Sequence, residues 1–144
     1  MIAAPTAAQT VRPDEITEII LETGDGFCAN CESITTLRNN GEASYHGGKN
    51  SRVRKGDFSG KISPADFAKL AKTMVKAGFF DLKPRYEGKT SDVATTKITV
   101  KYSDGQAKTV ENFGASPEPK LKIVERIFNT TTGRIDWRAV KTER

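Results

Sequence analysis

Two tight-turn signals narrow the folds open to this chain more than any other feature. Arg38-Asn-Asn-Gly41 stands between extended-looking runs at Ser33–Leu37 and Glu42–His46, and Ser103-Asp-Gly105 stands between Thr95–Tyr102 and Gln106–Phe113. An Asn-Gly or Asp-Gly pair supplies the positive φ that a short hairpin loop requires, so each pair of runs reads as adjacent antiparallel strands. In the second hairpin Ile98, Val100 and Tyr102 fall on one face, as the period of a half-buried strand demands. Glu15–Thr23, rich in β-branched residues, reads as a strand before the first hairpin, and Asp57–Ile62 as one after it. Strand connections of this kind disfavour a parallel βαβ arrangement.

Between the hairpins lies a helix marked at both ends. Ser63 is placed to cap it, Pro64 to occupy its first position and Asp66 its third, while Gly78 sits where a helix stop belongs. Phe67, Leu70, Ala71, Met74 and Val75 recur at spacings of three and four and form one apolar stripe, with Lys69, Lys72 and Lys76 on the outward side. A second helix opens at Pro117 or Pro119, carries Leu121, Val124, Ile127 and Phe128 inward, and ends at Thr130–Gly133. The expectation is one α+β domain: an antiparallel sheet of five to six strands with two main helices packed on one face. Residues 1–14 are expected to form a disordered tail, 15–130 the domain and 131–144 a C-terminal tail in which Trp137 covers one edge of the core. Gly24–Cys31, Gly47–Gly56 and Lys83–Asp92 read as loops.

Size and composition bound the function classes. A chain of 144 residues with 36% hydrophobic and 28% charged residues can bury one core without staples. No apolar run approaches the ~20 residues of a membrane-spanning helix. The net charge of +5 arises after Gly56, where 17 basic residues face 11 acidic ones as scattered lysines. Such an excess bears on solubility and weakly favours an anionic surface, but it gives no nucleic-acid footprint. The amino end, Met1–Thr10, lacks the basic and apolar regions of a signal peptide, yet its small residues resemble the stretch near a cleavage site. It reads either as the start of a mature exported chain or as a cytoplasmic tail.

The chemically sharpest feature is Cys28-Ala-Asn-Cys31. Four readings stand: a disulfide that fixes a loop in an exported protein, a redox pair, part of a metal site, or free thiols. A redox pair needs its first thiolate at a helix N-terminus, whereas Glu32–Leu37 looks like strand, and Asp25 and Glu32 would raise a thiol pKa. A metal site has Cys28, Cys31 and His46 alone as soft ligands and would need Asp25, Glu32, water or a second chain to complete it. His46 beside Ser33, Ser44 or Ser51 lacks a nucleophile-elbow signature and reads as a surface histidine. Lys49, Arg52, Arg54 and Lys55 form a basic glycine-rich segment, a candidate anion site without phosphate-loop spacing or interleaved aromatics. Arg85, Tyr86 and Asp92 make a polar cluster that a loop-bracing salt bridge or an Asp side-chain turn explains without function, and any ligand-contacting site is expected near this loop.

The chain also resembles a known bacterial family. Gly60-Lys-Ile-Ser-Pro-Ala-Asp-Phe67, Ala77-Gly-Phe-Phe-Asp-Leu82, Tyr86, Ser91-Asp92, Thr95-Thr96, Lys108-Thr-Val110, Phe113-Gly-Ala115 and Pro117 together resemble the domain-of-unknown-function family of the DUF6438 type. The resemblance runs from about Ile16 to Phe128 and is strongest over Gly60–Ala115. It implies an α+β fold and a bacterial, often exported setting, and it carries no activity. Members of that family tend to hold a close cysteine pair before the first hairpin, commonly with three residues between the two and proline following; here two residues lie between them and Glu32 follows.

With no catalytic constellation in view, the expected function is binding or interaction by a periplasmic or secreted bacterial protein, without metal or cofactor. Its basic loops would then be open to host antibodies, as in an antigen. Its partner would be another protein or an anionic surface, with no membrane span and no nucleic acid. The alternatives are a small redox or metal-binding protein using Cys28 and Cys31, and an anion or nucleic-acid binder using Lys49–Lys55.

Overall fold

The computed structural model describes residues 11–25, 28–48, 55–88, 95–113 and 118–140, with residues 25 and 28–32 described by their backbone alone. Eight strands and two α-helices follow one another: β1 (Ile16–Asp25), β2 (Cys28–Arg38), β3 (Glu42–Gly47), β4 (Gly56–Lys61), α1 (Pro64–Ala77), β5 (Arg85–Glu87), β6 (Thr95–Tyr102), β7 (Ala107–Phe113), α2 (Pro119–Thr132) and β8 (Arg138–Ala139). Single 3-10 turns at Pro13–Glu15 and Phe79–Asp81 precede β1 and follow α1.

The strands form one sheet in the order β5-β7-β6-β1-β2-β3-β4-β8. This is α+β as expected, but the sheet has eight strands, and it is mixed because β5 runs parallel to β7. The two additional strands are the edges. β5 has three residues and β8 has two, too few for an alternation to show, and β5 falls in a stretch whose Pro84 and charges read as loop. Short, charged edge strands leave little free backbone for another chain to pair with. Both expected hairpins are present, and Gly41 and Gly105 take φ of 95° and 90° at their turns. The segment Gly24–Cys31 is largely strand, since β1 extends to Asp25 and β2 begins at Cys28.

Local chemistry sets α1. The Ser63 hydroxyl accepts a hydrogen bond from the Asp66 amide at 3.0 Å, Pro64 opens the helix, and Gly78 ends it at φ 89°. A strand register that places Ile19, Leu21, Leu37, Ile98, Val100 and Val110 on one face lets both helices close on them. Phe67, Leu70, Ala71 and Met74 of α1 and Leu121, Val124 and Phe128 of α2 complete the core. Each of these side chains larger than alanine contributes about 1.5–3 kcal/mol through burial. The opposite face carries Glu18, Glu22, Ser44, His46, Lys97 and Lys101 toward solvent, and no helix covers it among the described residues. Val11, Ile135 and Trp137 also pack on the core, so described parts of both expected tails lie against the domain. No helix among the described residues is long and apolar enough to cross a membrane.

One tyrosine reports on the packing. Tyr102 lies against Phe80, with ring centroids 5.4 Å apart. Burial, and then the nearby Asp104 carboxylate, push its pKa up to about 12. The unfolded chain releases this proton near pH 10, so between pH 10 and about 12 the unfolded state binds fewer protons and stability falls as pH rises. A spectrophotometric titration of the folded protein should show a tyrosinate step near pH 12 that Tyr102→Phe lacks. The same variant should lose part of the alkaline decline in denaturation midpoint. An unchanged titration curve in Tyr102→Phe would contradict this placement.

Candidate functional site

The helix-facing side of the sheet is apolar along most of its length and then turns polar. In the cross-strand row next to the hydrophobic one, β2, β1, β6 and β7 place Ser33, Thr23, Thr96 and Asn112 side by side. In the preceding rows these inward positions hold Leu21, Ile98 and Val110, all buried. The Thr23 and Ser33 hydroxyls are 2.6 Å apart. Thr96 and the amide of the buried Asn112 both donate to one carboxylate oxygen of Glu125 on α2, at 2.7 and 3.2 Å. A partly buried carboxylate needs such donors to offset lost hydration. Glu125→Leu should therefore cost about 1–3 kcal/mol, and Glu125→Gln, which keeps an acceptor, distinctly less. Equal losses in denaturant melts of the two variants would contradict this role.

α2 continues across the strands from Glu125, and beyond its end the chain turns back over β3 and β4. Between them opens a groove of about 360 Å³ lined by Leu21, Thr23, Ser33, Thr35, Tyr45, Phe128, Asn129, Thr132, Gly133, Ile135 and Trp137. None of these side chains carries a charge. Tyr45 and Trp137 form an aromatic corner, with centroids 6.0 Å apart and planes inclined at 55°, and Phe58 meets Tyr45 edge-on. The indole Nε1 donates to the Thr132 carbonyl at 3.2 Å, so the ring presents only its apolar surface. Gly60 permits the approach of this wall: a Cβ there would lie 2.5 Å from Ile135 Cγ2. The groove is concave, mostly apolar and supplied with a few convergent polar groups, the usual character of a small-molecule site.

Two other cavities lack that convergence. One of about 490 Å³ lies between the Pro13–Glu15 turn and α1, where Arg12 and Asp14 pair with each other. The other, of about 450 Å³, lies at the β4 edge beside Lys61, Asp136 and Arg138.

The residues singled out by sequence are distributed as follows. Cys28 and Cys31 lie in β2, five and two residues before Ser33. Their side chains lie outside the described residues. Strand geometry separates residues three apart by about 10 Å, beyond the ~7 Å Cα spacing that a disulfide tolerates. A bridge between them would require β2 to leave extended geometry, and the pair is not at a helix start. His46 projects from the solvent face and its Nδ1 lies 2.6 Å from Asp57 Oδ1, both groups exposed. Ser33 is on the other face, so the two do not meet. Among the described residues no three His, Cys, Asp or Glu side chains converge as a metal site would need.

Lys55 is exposed, and Lys49, Arg52 and Arg54 lie outside the described residues, as does Asp92. The Arg85 guanidinium sits 4.1 Å above the Phe113 ring and bonds Glu87 at 3.1 Å, while the Tyr86 hydroxyl accepts from the Lys83 amide. These contacts brace β5 locally. The strand directions nonetheless bring the ends of β1, β3, β5 and β7 and the starts of β2, β4 and β6 to one end of the sheet. The polar row borders that end. Reading the sequence missed Tyr45, Thr35, Asn129 and Thr132 as site residues. For Thr35 and Tyr45 the signal was a hydroxyl at an inward strand position; Asn129 and Thr132 lie on α2 and carried none.

A family model described as a domain of unknown function, DUF6438, matches residues 17–131. The chain belongs to the DUF6438 family. The DUF6438 match runs from β1 nearly to the end of α2, and so includes the polar row and the sheet side of the groove. It stops before Ile135 and Trp137, so the outer wall of the groove lies beyond the DUF6438 span. Comparison with curated proteins finds no match. The DUF6438 description carries no activity, and the functional reading rests on the geometry.

Proposed function

We propose that this chain is a non-enzymatic bacterial binding domain, exported to the periplasm or secreted, that holds a small uncharged ligand in the groove between α2 and strands β1–β3. The observation that carries the reading is the groove's lining, which pairs an aromatic corner with hydroxyl and amide groups and, among the described residues, has no charged side chain. A hydrolytic or proton-transferring site would need a nucleophile or a titratable acid–base group within hydrogen-bond reach of the substrate. Among the described residues no histidine, carboxylate, lysine or cysteine lines this groove to activate its hydroxyls. Binding of flat or ringed ligands by aromatic walls, with orientation set by a few polar groups, asks nothing more of the residues present.

Amide-resonance NMR with a library of small neutral compounds tests the proposal. Hits should shift Thr23, Ser33, Thr35, Asn129 and Trp137 together, and Trp137→Ala should remove those shifts. Hits that perturb only the solvent face around His46 and Asp57, or no hits at millimolar concentration, would refute it. Export is tested separately by fractionating cells that make the native protein.

The topology favours a second reading, because β1 and β3 end, and β2 and β4 begin, at the end of the sheet where the backbone of Cys28 and Cys31 lies. A redox or metal-binding role there predicts fast reaction of one thiol at neutral pH, or a metal retained in native mass spectrometry. An anion-binding role for Lys49, Arg52, Arg54 and Lys55 predicts heparin retention that falls steeply with salt.

A further inference from the structure

We infer that the groove's ligand is a neutral saccharide ring, an inference that rests on the binding reading above and adds its chemistry. Three properties of the lining select this class. The first is charge. Among the described residues no charged side chain lines the groove, so an anionic or cationic ligand entering it would lose hydration without an opposite charge there to receive it, at high cost. Phosphates, carboxylates and ammonium compounds are thereby disfavoured.

The second property is ring geometry. Tyr45 and Trp137 meet at 55° with centroids 6.0 Å apart, which makes a corner and leaves no parallel slot. A planar heterocycle would stack on one of these rings and meet the other edge-on, but it would leave most of the sheet-side hydroxyls unpaired. A puckered ring with an apolar C–H face and polar rim can rest on one aromatic side chain while its rim meets the sheet. The indole N–H is already spent on Thr132, so Trp137 supplies apolar surface alone.

The third property is the hydrogen-bond inventory on the sheet side. Thr23 and Ser33 share one bond at 2.6 Å, which uses one donor and one acceptor and leaves one hydroxyl donor and further lone pairs. Thr35 lines the groove beside them, and among the described residues its hydroxyl has no protein partner. Asn129 adds an exposed amide with both donors and an acceptor. Closely spaced groups that both donate and accept match vicinal hydroxyls, each of which also does both. A site built this way rejects analogues lacking the hydroxyls, because its own polar groups are then left unpaired. The volume of about 360 Å³ lies at the small end of ligand sites, which suits one or two rings rather than a long segment of a polymer.

The test titrates the full chain with three sets of probes, following Trp137 fluorescence and amide shifts. The first set is glucose, mannose, N-acetylglucosamine, maltose and chitobiose. The second is the charged counterparts glucuronate and glucosamine, and the third is cyclohexanol, an apolar ring of similar size. A soluble glycan polymer alongside separates recognition of a free sugar from recognition of a chain end. At least one neutral saccharide should saturate the groove, with its charged counterpart weaker by about tenfold or more, the scale of one unmet hydrogen bond or more. Ser33→Ala and Asn129→Ala should each weaken it by about tenfold. Trp137→Ala should abolish it, and the exposed Asn129 keeps the test available if Trp137→Ala does not fold. Saturation by cyclohexanol with no response to any saccharide would overturn this inference and leave the binding reading standing. Tighter binding of the charged sugars would overturn it too, and silence from every probe would remove both.

Discussion

Replacing Gly60 with alanine is expected to destabilise the domain by about 1–3 kcal/mol, the scale of a forced overpacking. In an ordinary strand the exchange would help, since alanine loses less chain entropy on folding and gains about 0.4–1 kcal/mol where the backbone tolerates it. Gly60 lies within β4, where a side chain is tolerated by the backbone, so conformation is not its constraint. The obstacle is the returning C-terminal segment. An added Cβ would meet Ile135 Cγ2 at 2.5 Å, the Asp136 carbonyl oxygen at 3.2 Å and the Trp137 ring at 3.4 Å. Ile135 is 9% exposed and β-branched, so its methyl cannot swing clear. The segment must lift instead, and with it the wall of the groove.

Denaturant midpoints of Gly60→Ala, Ile135→Ala and the double variant check this. Ile135→Ala deletes the blocking methyl, so the double variant should lose less than the sum of the singles. Ile135→Val keeps a branch at that carbon and should give no such relief. A red shift in Trp137 emission should accompany the single Gly60→Ala change. A neutral or stabilising Gly60→Ala, or strict additivity with Ile135→Ala, would overturn the account.

Much of this fold is legible because its signals are local. The caps at Ser63 and Gly78, the stripe through Phe67, Leu70 and Met74, and the glycines at 41 and 105 act within a few residues, and each appears where its chemistry requires. The edge strands are different. β5 and β8 become strands because β7 and β4 offer them free backbone partners, and nothing in Arg85–Glu87 or Arg138–Ala139 itself demands extension. Pairing decided by a distant template leaves no period to read. The parallel β5–β7 pair follows from the same cause, since its geometry depends on where α1 returns the chain.

The site was less legible for a related reason. Reading for chemistry favours reactive residues, and so drew attention to Cys28, Cys31 and His46. The groove is instead made of threonine, serine, asparagine and tyrosine, whose meaning depends on strand register. Thr23 and Ser33 matter because they face each other in the row where Ile and Leu would otherwise stand. A polar residue at an inward position of an alternating strand is a sequence-level conflict, and such conflicts concentrate at functional places. Trp137 was visible as the single tryptophan, but Gly60, the residue that lets it approach Tyr45, carried no motif for that task.

Phe128→Ala should be the costlier substitution, at about 3–5 kcal/mol. The ring is 1% exposed; one part belongs to the core with Leu121 and Val124, and another lines the groove as its floor. Truncation removes its burial and leaves a void that two rigid layers, helix and sheet, cannot close. Against a total of about 5–15 kcal/mol for a domain of ordinary stability, that loss is a large fraction. Phe128→Leu fills most of the void and should cost well under half as much, which separates packing from any effect on α2 itself. Calorimetric or denaturant melts of the two variants decide between these outcomes. A loss below about 1.5 kcal/mol for alanine would mean that the ring is not a core element. The same pair also links stability to the groove. A ligand stabilises the folded state by an amount set by its concentration relative to Kd, so a saccharide that raises the melting temperature of the parent protein should do so less in Phe128→Leu. In Phe128→Ala, with the floor gone, it should have almost no effect.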